Sequence, residues 1–393
     1  ILLLPESTFN DDDLKPVRAG LDESDNAFAI IEKARGQLLW ADEAEIRQAA
    51  GMAEGNPRVS WDPALAEKLL ARNPGALSLL DDVLSRRGLE VPTPRGFDET
   101  YPGLDRLWRL SALASIRAEV LFREGREQEA FDLAFKIVEL GRRIQAAGGG
   151  SYYYTRGLST KKLGLNRIRL MAARTSLPAE TLLTFVKRLD HYRADTAALT
   201  NVFKTDYQLN VRMIEDLAEG KLPGTNAPTP SIRFDVVPGV LKLTTTKRLF
   251  ADCTRVCMKS LSYPYARMPR NEVPKASRSR LALMLGRNFV GEMMYDVTGG
   301  HTVGLLRDKC QENVQLAATQ LVLALKCWTL RHGTLPQSLT ALVPDYLVEI
   351  PRDDWEGQPF RYSVERRLIY SVSSDLADNG GKALDDSEFE MGF

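Results

Sequence analysis

The chain has 393 residues, of which 44% are hydrophobic and 26% are charged. This composition is typical of a globular protein and excludes disordered, collagen-like and disulfide-dense chains. Lys and Arg total 52 and Asp and Glu also total 52, whereas a protein that grips nucleic acid through its phosphates usually carries a clear basic excess. We therefore expect no nucleic-acid partner.

The chain begins with the apolar residues Ile1 to Leu4 and has no initiator Met. Two interpretations have equal weight: these residues end a signal or membrane anchor that lies upstream, or the sequence starts at an arbitrary cut. A membrane span needs about 18 apolar residues. The most apolar stretch, 316–328, is interrupted by polar residues. The sequence therefore predicts no transmembrane segment within the chain and leaves open a membrane anchor before it.

The first hundred residues predict short helices separated by polar turns. Helical spacing of apolar residues covers 27–34, 41–53, 63–71 and 74–87. Asp62 and Pro63 form a start signal, with an N-cap followed by proline at the first helical position. Three prolines between 92 and 102 then predict an extended linker.

The next segment predicts a helical hairpin of the tetratricopeptide type. One apolar face runs from Leu104 to Leu121, Gly125 interrupts it, and a second face runs from Ala130 to Ile144. Small residues on both faces would let the two helices approach closely. A second copy is not visible at this period, and repeat arrays need about three units for stability. We therefore predict one such hairpin within a larger helical bundle.

The middle of the chain predicts further helices at 159–173, 179–192, 195–219, 240–261 and 277–284. The stretch 223–238 is rich in Pro, Thr and Gly and predicts a long loop or an internal boundary. Residues 264–274 predict a loop, and 288–298 are ambiguous. Gly299, Gly300 and His301 predict a loop before the last long helix.

The last long helix has the clearest pattern, because its apolar residues step by three and four as far as Gly333: Cys310, Val314, Ala317, Leu321, Leu325 and Trp328. Two short strands follow at 361–364 and 368–372, with a turn between them. The acidic tail from Asp375 to Phe393 predicts a loop. The predicted fold class is mainly α: a multi-helix bundle with a small antiparallel β hairpin packed on a long helix. The predicted domains are a helical domain at 1–230, a helical connector at 231–304 and a helix-plus-β module at 305–393.

The C-terminal module carries a series of motifs in a fixed order. The long helix is followed by Gly333-Thr-Leu-Pro336, Leu339-Thr-Ala-Leu-Val-Pro344-x-Tyr346-Leu347, Pro351-x-Asp353-x-Trp355-x-Gly357-x-Pro359, and then Tyr370-Ser371. In this order the segment resembles the soluble part of type II secretion major pseudopilins. True pseudopilins begin with a hydrophobic anchor helix, whereas some 300 residues precede the module here. The resemblance implies an extracytoplasmic location and a link to secretion or cell-surface structures.

The same resemblance implies calcium binding in the loop that follows the last strand. Its ligands would be Asp375, Asp378, Asn379, Asp385 and Asp386. Calcium takes about six to eight oxygen ligands, mostly carboxylates and carbonyls, from a flexible loop. The alternative is a solvated acidic tail without a metal.

Side chains suited to catalysis do not form a recognisable motif. His191, His301 and His332 are far apart in sequence, and nucleophile-elbow, phosphate-loop and zinc-protease motifs are missing. We expect His332 to cap a helix C-terminus, where a cation or donor meets free carbonyl groups. We expect the aromatic run 152–154 to pack between helices. The carboxylate pair Asp353 and Asp354 is expected to be solvated.

The cysteines do not form a recognisable zinc motif either. None of Cys253, Cys257, Cys310 and Cys327 belongs to a CxxC pair or has a histidine at zinc-ligand spacing. We expect small buried residues, and a disulfide between two of them stays open.

Two classes of function remain open. The first is a non-catalytic extracytoplasmic binding or assembly protein with protein partners. The second is an extracytoplasmic hydrolase whose site is assembled from distant residues. The missing motifs favour the first class, whereas a deep pocket that holds His191 or His301 beside carboxylates would favour the second.

Overall fold

Helices make up most of the chain, as the sequence predicts. The computed structural model describes residues 9–34, 38, 42–96, 103–219, 241–275, 288–381 and 387–391. The α-helices are α1 (Phe28–Lys33), α2 (Glu43–Glu54), α3 (Pro63–Arg72), α4 (Ala76–Ser85), α5 (Leu104–Arg123), α6 (Glu127–Gln145), α7 (Ser151–Arg174), α8 (Ala179–Leu189), α9 (Thr196–Ala218), α10 (Leu243–Ser260) and α11 (Phe289–His332). The predicted loop at 223–238 and helix at 277–284 lie outside the described residues. The mainly α fold class is confirmed.

Local signals placed several helix ends correctly. The Asp62 carboxylate accepts a hydrogen bond from the Leu65 N–H at 3.0 Å and Pro63 is the first residue of α3. The turn between α5 and α6 contains Gly125 at φ +80°, a conformation that glycine adopts without a steric cost. The two helices therefore form a hairpin, whereas its tetratricopeptide character stays a prediction.

Helices α6 and α7 approach each other closely. A Cβ added at Gly157 would lie 2.6 Å from the Gly141 carbonyl oxygen, and one added at Gly164 would lie 2.8 Å from the Ala134 carbonyl oxygen. These glycines therefore bring the two helix backbones into direct contact. The pair has no room for side chains at these positions.

Helix α11 is the central element and has 44 residues, a length of about 66 Å at the usual rise per residue. It contacts α7, α8 and α10, and residues 314–327 are buried on all sides. Because it starts at Phe289, the predicted loop at Gly299, Gly300 and His301 is wrong. Two adjacent glycines disfavour a helix locally, but Gly299 packs against the ring of Tyr295, and tertiary packing outweighs this local cost. The helix also crosses the predicted domain boundary at 304/305.

The small sheet has three antiparallel strands in the order β1 (Arg361–Ser363), β2 (Leu368–Ser371) and β3 (Ser387–Glu390). The predicted hairpin is confirmed, with Tyr362 opposite Ile369. The prediction that the whole tail is loop is wrong, since Phe389 of β3 pairs with Ile369 of β2. Strand β3 has one buried aromatic side chain, and so short a strand shows no alternation in the sequence.

The sheet and the segment before it pack on α11. Trp355 is 4% exposed, and its ring and that of Tyr265 are nearly perpendicular with their centroids 5.1 Å apart. Asp353 is buried, contrary to the prediction of a solvated pair, because its carboxylate accepts hydrogen bonds from the Trp355 and Val372 N–H groups. Asp354 forms an ion pair with Lys309 of α11 at 2.8 Å. One apolar core runs from Leu14 to Met391 through both the helical body and this C-terminal module.

Candidate functional site

A cleft of about 580 Å³ lies between α11 and the C-terminal module. Helix α11 contributes residues at helical spacing along one face: Gly300, His301, Gly304, Arg307, Asp308 and Gln311. A second cleft of about 330 Å³ lies between α8 and residues 344–351. His301 thus lines the larger cleft beside a carboxylate.

Two glycines give the helix side of this cleft its shape. A Cβ added at Gly300 or at Gly304 would meet no atom within 4 Å, so the backbone of α11 faces open space there. Their neighbour Gly299 faces the core instead. Because the two open glycines are four residues apart, they lie above one another on the same face of the helix. A partner could therefore approach the backbone of α11 closely.

The C-terminal module forms the opposite side with Trp355, Ser373 and Ser374. Arg307 donates a hydrogen bond from Nη2 to the Ser374 hydroxyl oxygen at 2.9 Å and so joins the two sides. The indole N–H of Trp355 is buried and has no acceptor among the described residues. Buried donors in native proteins are nearly always satisfied. The indole nitrogen is not accessible from the cleft, so this donor belongs to the packing of the module and is not a contact point for a partner.

Behind the cleft, a buried network connects α6, α7 and α11. Glu312 forms an ion pair with Lys161, and both side chains are 1% exposed. The same carboxylate accepts hydrogen bonds from the Tyr154 hydroxyl and from the Gln145 amide, each at 2.9 Å. Burial and the Glu312 charge raise the pKa of Tyr154 well above its usual value. One turn earlier, burial raises the pKa of Asp308, and the Glu312 charge adds to this shift.

A second buried carboxylate lies at the start of α7. Asp206 of α9 accepts a hydrogen bond from the Ser151 N–H at 3.0 Å. Gly150 precedes the helix at φ +74°, and a Cβ there would lie 2.6 Å from the Asp206 carboxylate. Burial raises the pKa of Asp206 to about 6, while hydrogen bonds from Ser151 and the charge of His301 oppose the shift. Negative charge is favourable at a helix N-terminus, which gives this carboxylate a structural role.

The other two histidines lie away from this cleft. His191 is exposed in a short turn after α8. His332 is the last residue of α11, where its ring stacks on Trp328 at 4.1 Å and its Nε2 lies 3.3 Å from the Tyr346 hydroxyl. The helix end itself is closed by the Gly333 N–H, which donates to the Thr329 carbonyl oxygen.

The aromatic run 152–154 and the four cysteines were expected to be packing residues. Tyr153 and Tyr154 are buried, as expected for side chains between helices, whereas Tyr152 is exposed. The four cysteines are buried free thiols, so the disulfide alternative is not realised: Cys253, Cys257, Cys310 and Cys327.

Three of the five predicted calcium ligands belong to the part of the chain that the structure describes. Asp375, Asp378 and Asn379 are described, whereas Asp385 and Asp386 lie outside the described residues. Within the described residues, no group of three or more His, Cys, Asp or Glu side chains is placed to hold a metal.

Both oxygens of the Asp378 carboxylate already have partners. Arg361 contacts one oxygen at 2.6 Å, and the Gly380 N–H and the Tyr370 hydroxyl contact the other at 2.9 and 3.3 Å. The Gly380 hydrogen bond and the Arg361 charge lower the pKa of this carboxyl. A cation would have to displace Arg361, so the described side chains do not form a metal site as they lie.

Comparisons with known proteins yield no relative: no protein-family model, no curated protein and no solved structure matches this chain. Among the helices of the described residues, none combines the length and the apolar character needed to cross a membrane. The function of the cleft is therefore inferred from the residues that line it and from their chemistry.

The sequence contained a signal for this site that the predictions did not use. Gly300 and Gly304 have the spacing G-x-x-x-G, and Phe289, Met293 and Val297 precede them at intervals of three and four. This spacing indicates one helix face. The prediction of a loop at Gly299 to His301 divided this helix face into two parts, so the face was not recognised.

Proposed function

We propose that this protein is a non-catalytic binding and assembly protein that docks a protein partner along the exposed face of α11 and its cleft. The observation that carries the proposal is the pair of open glycines, Gly300 and Gly304, beside the C-terminal module. Glycines on a helix face allow a second backbone to approach closely, and no atom of the chain fills the space beside these two.

The charged groups behind the cleft also support binding rather than chemistry. Glu312 is neutralised by Lys161 and accepts two further hydrogen bonds. Asp206 receives the first N–H of α7. A carboxylate that acts as a general acid or base must exchange a proton with the substrate, whereas these two are engaged in holding helices together.

The extracytoplasmic location and the link to secretion or cell-surface structures rest on the pseudopilin resemblance of residues 305–393. The packing of β2, which is paired with β1, against a long helix supports this part of the proposal. Calcium binding by the loop that contains Asp375 and Asp378 rests on the same resemblance, and Arg361 is the competing cation.

Site-specific photo-crosslinking in the native host tests the docking surface. A photoreactive amino acid at Val297, which is 77% exposed, is compared with one at Val348, which is 89% exposed and far along the chain. We expect a discrete protein adduct from position 297 that the control position does not form. Equal or absent adducts at the two positions would contradict the proposal.

A hydrolase remains the second candidate, because His301 and Asp308 line the same cleft. The raised pKa of Asp308 is the property that a general acid needs. Ester, peptide and glycoside substrates should be assayed with the wild-type protein and with His301→Ala and Asp308→Asn. Turnover that both variants abolish would favour the hydrolase and overturn the non-catalytic proposal.

A further inference from the structure

The cleft between α8 and residues 344–351 is a second candidate site, with a volume of about 330 Å³. It is separate from the cleft beside Gly300 and Gly304, because the two clefts share no lining residue. Sites for small molecules usually have volumes of about 300–1,000 Å³. The cleft therefore has the size of a site for a small ligand, and the residues that line it indicate the class of ligand.

Gln320 of α11 gives this cleft one fixed polar group. Its side chain is 3% exposed, and its Nε2 donates a hydrogen bond to the Asp190 carboxylate at 2.8 Å. That bond fixes the orientation of the amide, because only the nitrogen can donate. The Oε1 atom has no donor among the described residues, yet it is not closed off from solvent. It is therefore left to accept a hydrogen bond from a ligand.

The two walls of the cleft carry opposite charges. The α8 wall contributes Lys187, which lies beside an ion pair of Arg193 and Asp190 that is neutral as a unit. The opposite wall contributes Asp345 and Glu349. Within the described residues, Lys187 forms no ion pair, and neither do these two carboxylates. The fold thus places unpaired opposite charges on two sides of a gap that the chain does not itself close.

Buried neighbours hold both walls in place. Val186, which precedes Lys187 on α8, is buried and lines the cleft. Tyr346, which follows Asp345, is also buried, and its ring packs against Trp328 of α11 with the centroids 5.7 Å apart. The backbone positions of the charged residues are therefore set before a ligand arrives, and a site built in advance loses little free energy to ordering.

We propose that this cleft binds a zwitterion of the amino-acid class, namely a free amino acid or a dipeptide. The ligand's carboxylate pairs with Lys187. Its ammonium group pairs with Asp345 and Glu349 and donates a hydrogen bond to Oε1 of Gln320. A ligand with a single charge leaves one wall unpaired, so the two walls together select for both charges. This inference goes beyond the docking function of α11 and does not depend on it.

Calorimetric titration of the full chain tests the class of ligand. The probes are the common L-amino acids, added one at a time, and alanyl-alanine, which distinguishes a dipeptide from a free amino acid. We expect saturable binding of at least one probe at millimolar or lower concentration. If no probe binds at millimolar concentration, the proposal is overturned.

Capped forms of the bound probe test its two charges separately. An N-acetyl group removes the ammonium charge, and a C-terminal amide removes the carboxylate charge. Each capped form should bind at least about fivefold more weakly, because a charge-assisted hydrogen bond is lost and one wall keeps an unpaired charge. A capped form that binds as tightly as the zwitterion would contradict the selection for both charges.

Substitutions assign each charge to its wall. Lys187→Met should weaken the zwitterion at least about fivefold but should not weaken the C-terminal amide, which has no carboxylate for Lys187 to contact. Asp345→Asn combined with Glu349→Gln should likewise weaken the zwitterion but not the N-acetyl form. The matched controls Lys162→Met and Glu365→Gln remove exposed charges that do not line the cleft, and they should leave binding unchanged.

These variants should fold normally, because the substituted side chains in the cleft are exposed and form no ion pair within the described chain. Thermal melting verifies this. Zwitterion binding that the cleft variants leave intact, or that the control variants weaken equally, would place the ligand elsewhere and overturn the proposal. Neither result affects the docking function, which concerns a different cleft.

Discussion

A Cβ at Gly157 of α7 would stand 2.6 Å from the carbonyl oxygen of Gly141 in α6. The backbones of these two helices are therefore in contact, and the buried network of Lys161 and Glu312 begins one turn further along α7. The packing that aligns α6 with α7 thus also sets the position of Lys161, which pairs with Glu312 behind the cleft.

Gly157→Ala should reduce the free energy of unfolding by about 3 kcal/mol, because the added methyl group meets backbone atoms that cannot rotate away. Urea denaturation at low protein concentration measures the change. The matched control is Gly300→Ala, another glycine within a helix, whose Cβ would meet open space. The control should be neutral or stabilising by about 0.5–1 kcal/mol, and equal losses in both variants would refute the close contact.

Lys161→Met should destabilise the protein by about 3–5 kcal/mol, because it leaves the Glu312 carboxylate buried without its counter-ion. Combining it with Glu312→Leu removes both charges and should recover a large part of that loss. Chemical denaturation of the two variants gives the comparison. A double variant that is no more stable than Lys161→Met would contradict the role assigned to the unpaired charge.

The buried carboxylate of Asp206 should make stability depend on pH. Its pKa is raised to about 6 in the folded protein, whereas the pKa of an Asp in an unfolded chain is about 3.9. Between these values the folded state binds more protons than the unfolded state, so this contribution is largest below pH 4 and is lost as pH rises through 6. The expected loss is about 3 kcal/mol.

Asp206→Asn should remove this pH dependence, since an amide does not titrate and can still accept the hydrogen bond from the Ser151 N–H. Unfolding of the wild type and of the variant is measured from pH 4 to pH 7. The difference in stability between them should change with pH in the stated direction. Parallel curves would show that Asp206 does not carry the effect.

Calcium should compete with Arg361 for the Asp378 carboxylate. If the loop binds calcium as proposed, calorimetric titration will show heat at millimolar calcium and the melting temperature will rise. Arg361→Gln frees the carboxylate and should strengthen binding, whereas Asp378→Asn should weaken it. No heat and no thermal shift in either the wild type or Arg361→Gln would rule out the calcium site.

Local patterns in the sequence determined most of the helices and the hairpin of β1 and β2. The steps of three and four from Cys310 to Trp328 identified the core of α11, and Gly333 marked its end. Gly125 and Gly333 adopt positive φ values, which few other residues tolerate, so their positions could be read without tertiary information.

The start of α11 depended on tertiary contacts. Gly299 and Gly300 weaken a helix when considered alone, yet Gly299 is covered by Tyr295, whose ring packs against Phe250 of α10. Strand β3 likewise exists through its pairing with β2. In both places non-local packing supplied free energy that local propensity lacks.

The composition and periodicity of the sequence thus determined a mainly α chain with a small C-terminal sheet, because helix and strand periods are local properties. Only the tertiary structure decided which groups meet: Glu312 with Lys161, Asp378 with Arg361, and α11 with the module that forms the cleft. These pairs depend on how distant elements pack, and residue spacing along the chain does not encode that distance.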